Sequence, residues 1–192
     1  MIILASNSPR RKELLKRIIP DYQVIPADID ESVYENEKAT IYAKRMSETK
    51  AAFIHQTYSE DLVIAADTIV SVGDKILGKP ENAEDARVML LSYSGKSHQV
   101  MTSVTIMYKE RKKSFMEVAD VEFYEMTEAE ITQYLSTNEW QDKAGGYGIQ
   151  GAASLYVKGI MGDFFTIVGF PIARIYHEIQ EFLAVYQAKS NE

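Results

Sequence analysis

The stretch 62-LVIAADTIVSV-72 is an apolar, β-branched run interrupted by Asp67, Thr68 and Ser71. A run of this kind, followed by a turn at Gly73-Asp74, predicts a long buried strand. A carboxylate in such a strand must be paired or open into a cleft, because burying a lone charge is prohibitive. Asp67 is therefore either half of a structural ion pair or a catalytic and metal-binding group. Its place beside Thr68, where a strand often meets an active-site crevice, favours the second.

Upstream of this strand, Ala39, Tyr42, Ala43, Met46, Phe53 and Ile54 recur at helical spacing, with Lys50 inside the same apolar arc. They predict a helix beginning near Ala39, preceded by the acidic, loop-like 28-DIDESVYENEK-38. Val24-Ile25 before Pro26 predicts a short strand. Residues 2 to 5 predict a buried strand, and Ser8-Pro9 an N-cap with proline at the first helical position, opening a helix through Ile18 and Ile19.

Downstream, residues 81 to 92 suit a helix ended by Gly95. Strands are predicted at 99–108 and 115–126, joined by the basic turn 109-KERKK-113. Thr127-Glu128-Ala129-Glu130 is a capping box opening a helix to about Ser136. After the Gly-rich 141-QDKAGGYGIQG-151, two more strands are predicted at 154–160 and 164–169. Pro171 then starts a terminal helix bearing Ile172, Ile175, Ile179 and Phe182. Several strand pairs have only short connections, so the class is α/β with a mixed sheet. With no linker or internal repeat, residues 1–192 read as one domain.

At 192 residues, 46% hydrophobic and 26% charged, the composition is globular and excludes collagen, disorder and a disulfide scaffold. A balance of 21 Lys and Arg against 28 Asp and Glu, net −7, argues against a surface that tracks nucleic acid, although a small anion can still be held locally. No cysteine means no thiolate nucleophile and no cysteine-based metal site, and the three histidines are scattered. No apolar run approaches the ~18 residues of a membrane span. The apolar opening precedes Arg10 and Arg11, the reverse of a signal peptide, so a cytoplasmic protein without a membrane partner is expected.

The cations suggest a function. In 6-SNSPRR-11, Arg10 and Arg11 face the positive end of a helix dipole, which is unfavourable unless an anion lies between them. Free N–H groups, the Ser6 hydroxyl and two guanidinium forks suit phosphate, although solvated surface arginines are the plain alternative. Lys50 reads as a snorkelling stem or a phosphate ligand, and Lys79 in Gly78-Lys79-Pro80 as a turn residue or a presented ammonium. Glu31 is a solvated loop residue or, with Asp67, part of an Mg²⁺ site. Gln150 offers an amide donor and acceptor in a segment that is either a plain loop or a ligand approach.

Six segments, 4-LASNSPRRKELL-15, 65-AADTIV-70, 77-LGKP-80, 94-SGKSHQVMT-102, 142-DKAGGYGIQG-151 and 168-VGFP-171, resemble the Maf, or septum-formation-inhibitor-like, nucleotide pyrophosphatases in order and spacing. The resemblance implies an elongated, bilobed α/β fold with a twisted mixed sheet and a central cleft, akin to inosine-triphosphate pyrophosphatases, and commonly a homodimer. It implies hydrolysis of nucleoside triphosphates to monophosphate and pyrophosphate with a divalent metal, Mg²⁺ or Mn²⁺. Asp67 matches the family's proton acceptor, and Ser6, Arg11, Glu31, Lys50 and Lys79 match positions tied to phosphate binding or catalysis. Arg10, Thr68 and Gln150 resemble the dTTP- and UTP-cleaving subgroup rather than the one acting on 7-methyl-GTP. Gly146, Phe170 and Trp140 depart from the usual residues without touching a charged position. A nucleotide-binding regulator of cell division is the alternative that the family's older name suggests.

Overall fold

Strand β1 (Ile2–Leu4) runs into helix α1 (Pro9–Ile18), and β2 (Gln23–Val24) returns beside it. Helix α2 (Ala39–His55) precedes the central strand β3 (Leu62–Val72), which folds back as β4 (Lys75–Leu77). After α3 (Ala83–Tyr93) come β5 (Ser97–Tyr108), β6 (Arg111–Phe123) and α4 (Glu128–Ser136). Two 3₁₀ turns, Ala144–Gly146 and Ala152–Tyr156, lead to β7 (Val157–Met161), α5 (Phe164–Val168) and α6 (Ile172–Lys189). The computed structural model describes residues 1–73 and 75–189, with side chains through Ala184, so Asp74 of the predicted turn lies outside the described residues.

Among the described residues, seven strands form one mixed sheet ordered β2-β1-β3-β5-β6-β7, with β4 also paired to β3. β1 lies parallel to both β2 and β3, while β5 runs antiparallel to β3 with Asp67 opposite Ser103. The period of two along β3 then divides its side chains. Leu62, Ile64, Ala66 and Val70 enter the main core with Leu14, Leu15, Leu90 and Ile175. Val63, Ala65 and Ile69 turn to the other face, where Ala43, Met46, Ala51 and Ile54 of α2 cover them. Asp67 belongs to this second face, so α2 is the element that must answer its charge.

Helix caps follow the sequence signals. Ser8 accepts from the Arg11 N–H, and Thr127 and Glu130 complete both halves of the capping box. Four local expectations are corrected. Residues 164–168 form a helical turn instead of a strand, because Asp163 caps the Thr166 N–H and Gly169, at φ +103, closes the turn in the left-handed region. The apolar run is too short for its periodicity to reveal this. Residues 152–156 are a 3₁₀ turn, so β7 begins only at Val157. The predicted turn 109–113 contracts to Lys109-Glu110, since Arg111–Lys113 pair with Met107–Tyr108 and Ile106 along the hairpin. Phe53 is exposed, because the buried stripe of α2 drifts to Ser47, Lys50, Ala51 and Ile54 as the twisted sheet passes beneath it.

The far end of β5 carries an aromatic box of Tyr93, His98, Phe123 and Tyr147, whose ring centroids lie 4.4–5.6 Å apart. His98 Nε2 and the Tyr147 hydroxyl share a 2.7 Å hydrogen bond. Burial lowers the His98 pKa to about 4. An unfolded histidine, near 6.5, binds its proton first, so this stability is complete above pH 6.5 and is lost as pH falls toward 4. Urea melts at pH 7 and pH 5 should therefore differ by about 2 kcal/mol from this group. His98→Gln should lose much less over that interval; equal losses in the two proteins would rule out a buried neutral histidine.

Candidate active site

Asp67 is buried in the middle of β3, and the helix opposite answers it. Lys50 lies four residues from both Met46 and Ile54 on the stripe of α2 that covers the sheet, so its stem packs among apolar groups. Its Nζ donates to Asp67 Oδ1 at 2.7 Å and pairs with Glu31 Oε1 at 2.9 Å. Two carboxylates thus converge on one ammonium and keep one surplus negative charge. Burial raises the Asp67 pKa, opposed by Lys50 and then Arg11. Among the described residues the second Asp67 oxygen has no protein partner.

Glu31 is placed by a loop that is far from loose. Arg45 donates from Nε and Nη2 to both Glu37 oxygens, at 2.7 and 2.6 Å, and from Nη2 to the Ser32 carbonyl at 2.8 Å. Its guanidinium also lies 3.8 Å from the Tyr34 ring centroid. The Tyr42 hydroxyl donates to the Glu31 carbonyl oxygen at 2.9 Å. Composition marks residues 28–38 as a solvated acidic stretch, but these contacts fasten it to α2 with Glu31 over Lys50.

The two arginines of the first loop separate. Arg11 turns inward: Nε donates to Gly169 O at 2.9 Å, Nη1 to Ala66 O at 2.7 Å and Ser6 Oγ at 3.4 Å, and Nη2 to Thr68 Oγ1 at 3.0 Å. Four of five N–H groups are thereby committed to the protein, so Arg11 joins α1, β3 and the end of α5. Its spacing carried the signal, because Arg11 shares the buried stripe of α1 with Leu14 and Leu15. Arg10 falls off that stripe, lines the cleft, and has no hydrogen bond or ion pair among the described residues.

Thr68 is also largely engaged. Its oxygen accepts from Arg11, and because Thr102 donates to Thr166 O at 2.7 Å, the Thr68 hydroxyl hydrogen goes to Thr102 Oγ1 at 2.9 Å. One lone pair is left for a ligand. Ser6 is the converse: its oxygen accepts from Ser8 N and from Arg11, which leaves its hydrogen to donate.

The Gly-rich segment is docked on this frame. The Gly145 N–H donates to Gly78 O at 3.0 Å and its carbonyl accepts from the buried Tyr93 hydroxyl. At φ +71, any β-carbon would lie 2.7 Å from Val70 Cγ2, so this residue has to be glycine. The docking sets exposed Lys79 and Gln150 on the same cleft as Lys143, a half-buried cation that the sequence pattern left unassigned although it lies two residues before the tight-turning Gly145-Gly146. Burial lowers the Lys143 pKa, and Arg10 lowers it further.

Ser6, Arg10, Arg11, Glu31 and Lys50 therefore share with Asp67, Thr68, Lys79 and Gln150 one cleft of about 1540 Å³. The Maf-like protein family model matches residues 1–182. The chain belongs to the Maf family. It is 46% identical over 182 residues to a protein of Carboxydothermus hydrogenoformans named dTTP/UTP pyrophosphatase, covering 94% of this chain and 97% of that one. A Bacillus cytotoxicus protein of the same name is 42% identical over 180 residues, covering 94% of each. A HAM1 protein from Coxiella burnetii shares the fold at TM-score 0.50 and 14% identity, covering 94% of this chain and 98% of that one.

The donor set of this Maf family member bears on which metal suits it. Among the described residues no group of three metal-ligating side chains gathers, which does not fit a zinc site. The Glu31–Asp67 pair fits Mg²⁺, which takes one or two carboxylates and fills its shell with water and phosphate oxygens.

Arg11 and Arg45, which hold different parts of the site, give a paired test. Arg11→Lys leaves the Gly169, Ala66 and Thr68 acceptors short of donors and should cost about 2–4 kcal/mol in urea unfolding. Arg45→Met releases the loop that positions Glu31 and should lower turnover by about 10- to 100-fold while the melting midpoint moves little. Unchanged stability in the first variant, or unchanged turnover in the second, would remove the corresponding role.

Proposed function

We propose that this Maf family member hydrolyses nucleoside triphosphates, dTTP and UTP first among them, to the monophosphate and pyrophosphate. The observation that carries the reading is a buried carboxylate, held by Lys50, in a cleft that also presents Arg10 and Lys79, cations with no ion pair among the described residues. The names of the Carboxydothermus and Bacillus relatives support the substrate class.

In this reading Asp67 takes the proton of the attacking water, and its raised pKa makes it a stronger base than a solvated carboxylate. Lys50 holds Asp67 in place and offsets part of its charge. Arg10, Lys79 and the Ser6 hydroxyl oppose the charge that grows on the departing pyrophosphate. Arg11 acts through the scaffold, holding Ser6 and Thr68 where the substrate meets them. Gln150 and the remaining lone pair of Thr68 read the base edge. Glu31 and Asp67 would hold a divalent cation, Mg²⁺ or Mn²⁺, which when bound polarises phosphate and lowers the pKa of water.

Residues 1–192 act as one domain in this reading, in a reducing, cytoplasmic setting consistent with a chain that has no cysteine. No helix among the described residues is long and apolar enough to cross a membrane. A homodimer belongs to the same proposal, supported by exposed Leu155, Ile160 and Met161 near β7, which pairs only with β6 among the described strands. Light scattering should give twice the chain mass, and a monomer at micromolar concentration would exclude the dimer.

Phosphorus NMR of the reaction with dTTP should show pyrophosphate rather than orthophosphate. Asp67→Asn should lose at least about 10²-fold in turnover, and Lys79→Gln on the order of 10²- to 10³-fold. dTTP and UTP should run well ahead of 7-methyl-GTP. Orthophosphate as first product, near-normal turnover in Asp67→Asn, or the reverse substrate ranking would each overturn the corresponding part.

A further inference from the structure

A count of committed charges around the cleft exposes a cation with no assigned task. Lys50 is balanced by two carboxylates and Arg11 is occupied by four protein acceptors. Neither therefore has its full charge available to a ligand. Arg10 and Lys143 differ from both: each lines the cleft, each is partly buried, and among the described residues neither has a carboxylate within ion-pair distance. Among the described residues the Lys143 ammonium donates only one long hydrogen bond, 3.5 Å to the Gln141 carbonyl oxygen.

The two charges are close enough that Arg10 is the second cause, after burial, of the lowered Lys143 pKa. Glu139 and Asp142 act on Lys143 in the opposite sense from the same cleft, yet neither forms an ion pair with it and the balance still lowers its pKa, so two like charges, both partly desolvated, are left for a ligand to answer. The path of the Lys143 stem depends on a glycine. It lies across Gly148, where a β-carbon would come within 2.7 Å of Lys143 Cε and 2.9 Å of Cδ. A side chain at position 148 would displace the ammonium.

We propose that Lys143 and Arg10 form a two-cation clamp on the pyrophosphate end of the substrate, with Gly148 as the seat that aims the lysine. The proposal rests on the reading of the cleft as a triphosphate site. A nucleoside offers no charge to a pair of cations, whereas the terminal phosphates offer several oxygens and most of the negative charge. Lys143 is therefore a binding residue for the leaving group, and its loss should spare the nucleoside monophosphate.

The test is calorimetric titration of the full chain with pyrophosphate and, separately, with dTMP, both in Mg²⁺. Lys143→Gln should weaken pyrophosphate binding about tenfold or more while dTMP binding stays within twofold. Lys143→Arg should recover most of the loss. Gly148→Ala, which leaves every charge in place, should shift pyrophosphate in the same direction, and melting curves identify any variant that fails to fold. No pyrophosphate binding by the wild type, binding unchanged in Lys143→Gln, or an equal loss for dTMP would overturn the clamp. Lys143-dependent pyrophosphate binding without pyrophosphate release from dTTP would instead uphold the clamp and overturn the hydrolytic reading.

Discussion

A carboxylate in the middle of a strand covered on both faces cannot remain charged without a partner, and the arrangement around Asp67 follows from that constraint. Lys50 comes from α2 because Asp67 lies on the face of β3 that α2 covers, and it pairs with Asp67 at 2.7 Å. Removing one member of such a pair strands the other in a poorly polar setting, at a cost of roughly 3–5 kcal/mol. The same burial that makes the pair costly keeps Asp67 a stronger base than it would be in water. Structural need and proposed chemistry therefore meet in one residue.

Around this pair the cations divide by how fully the protein uses them. Arg11 spans α1, the backbone at Ala66 and the end of α5 with four donated hydrogen bonds, and so acts as a tie between elements. Its planar fork reaches acceptors in several directions, which an ammonium cannot match. Arg10, one residue earlier, is turned by the helical period to the cleft. Adjacent residues of the same type thus take opposite tasks because consecutive positions on a helix are separated by about 100°.

Much of this was legible before any fold was in view. The period-two run of β3, the capped start of α1 and the capping box at Thr127 each state a local conformation that their neighbours enforce. Asp67, Lys50 and Arg10 stood out because each was a charge in apolar or electrostatically adverse surroundings. Where the reading failed, two local signals competed. Residues 164–168 carry the apolar content of a strand, but Asp163 and Gly169 at the two ends determine a helical turn. At Phe53 the even helical spacing does not encode the drift of the buried stripe along α2.

What the sequence determined by itself is the set of elements and the suspect charges, because propensity, capping and burial of apolar periods are properties of short segments. What only the tertiary structure decided is the division of labour among those charges. Whether an arginine holds the fold together or waits for an anion depends on which acceptors lie within about 3 Å of it. For Arg11 those acceptors come from residues 55 to 158 positions away. The fastening of the acidic loop by Arg45, and the placing of Arg10 and Lys143 on one cleft, arise in the same way from long-range packing that no local pattern encodes.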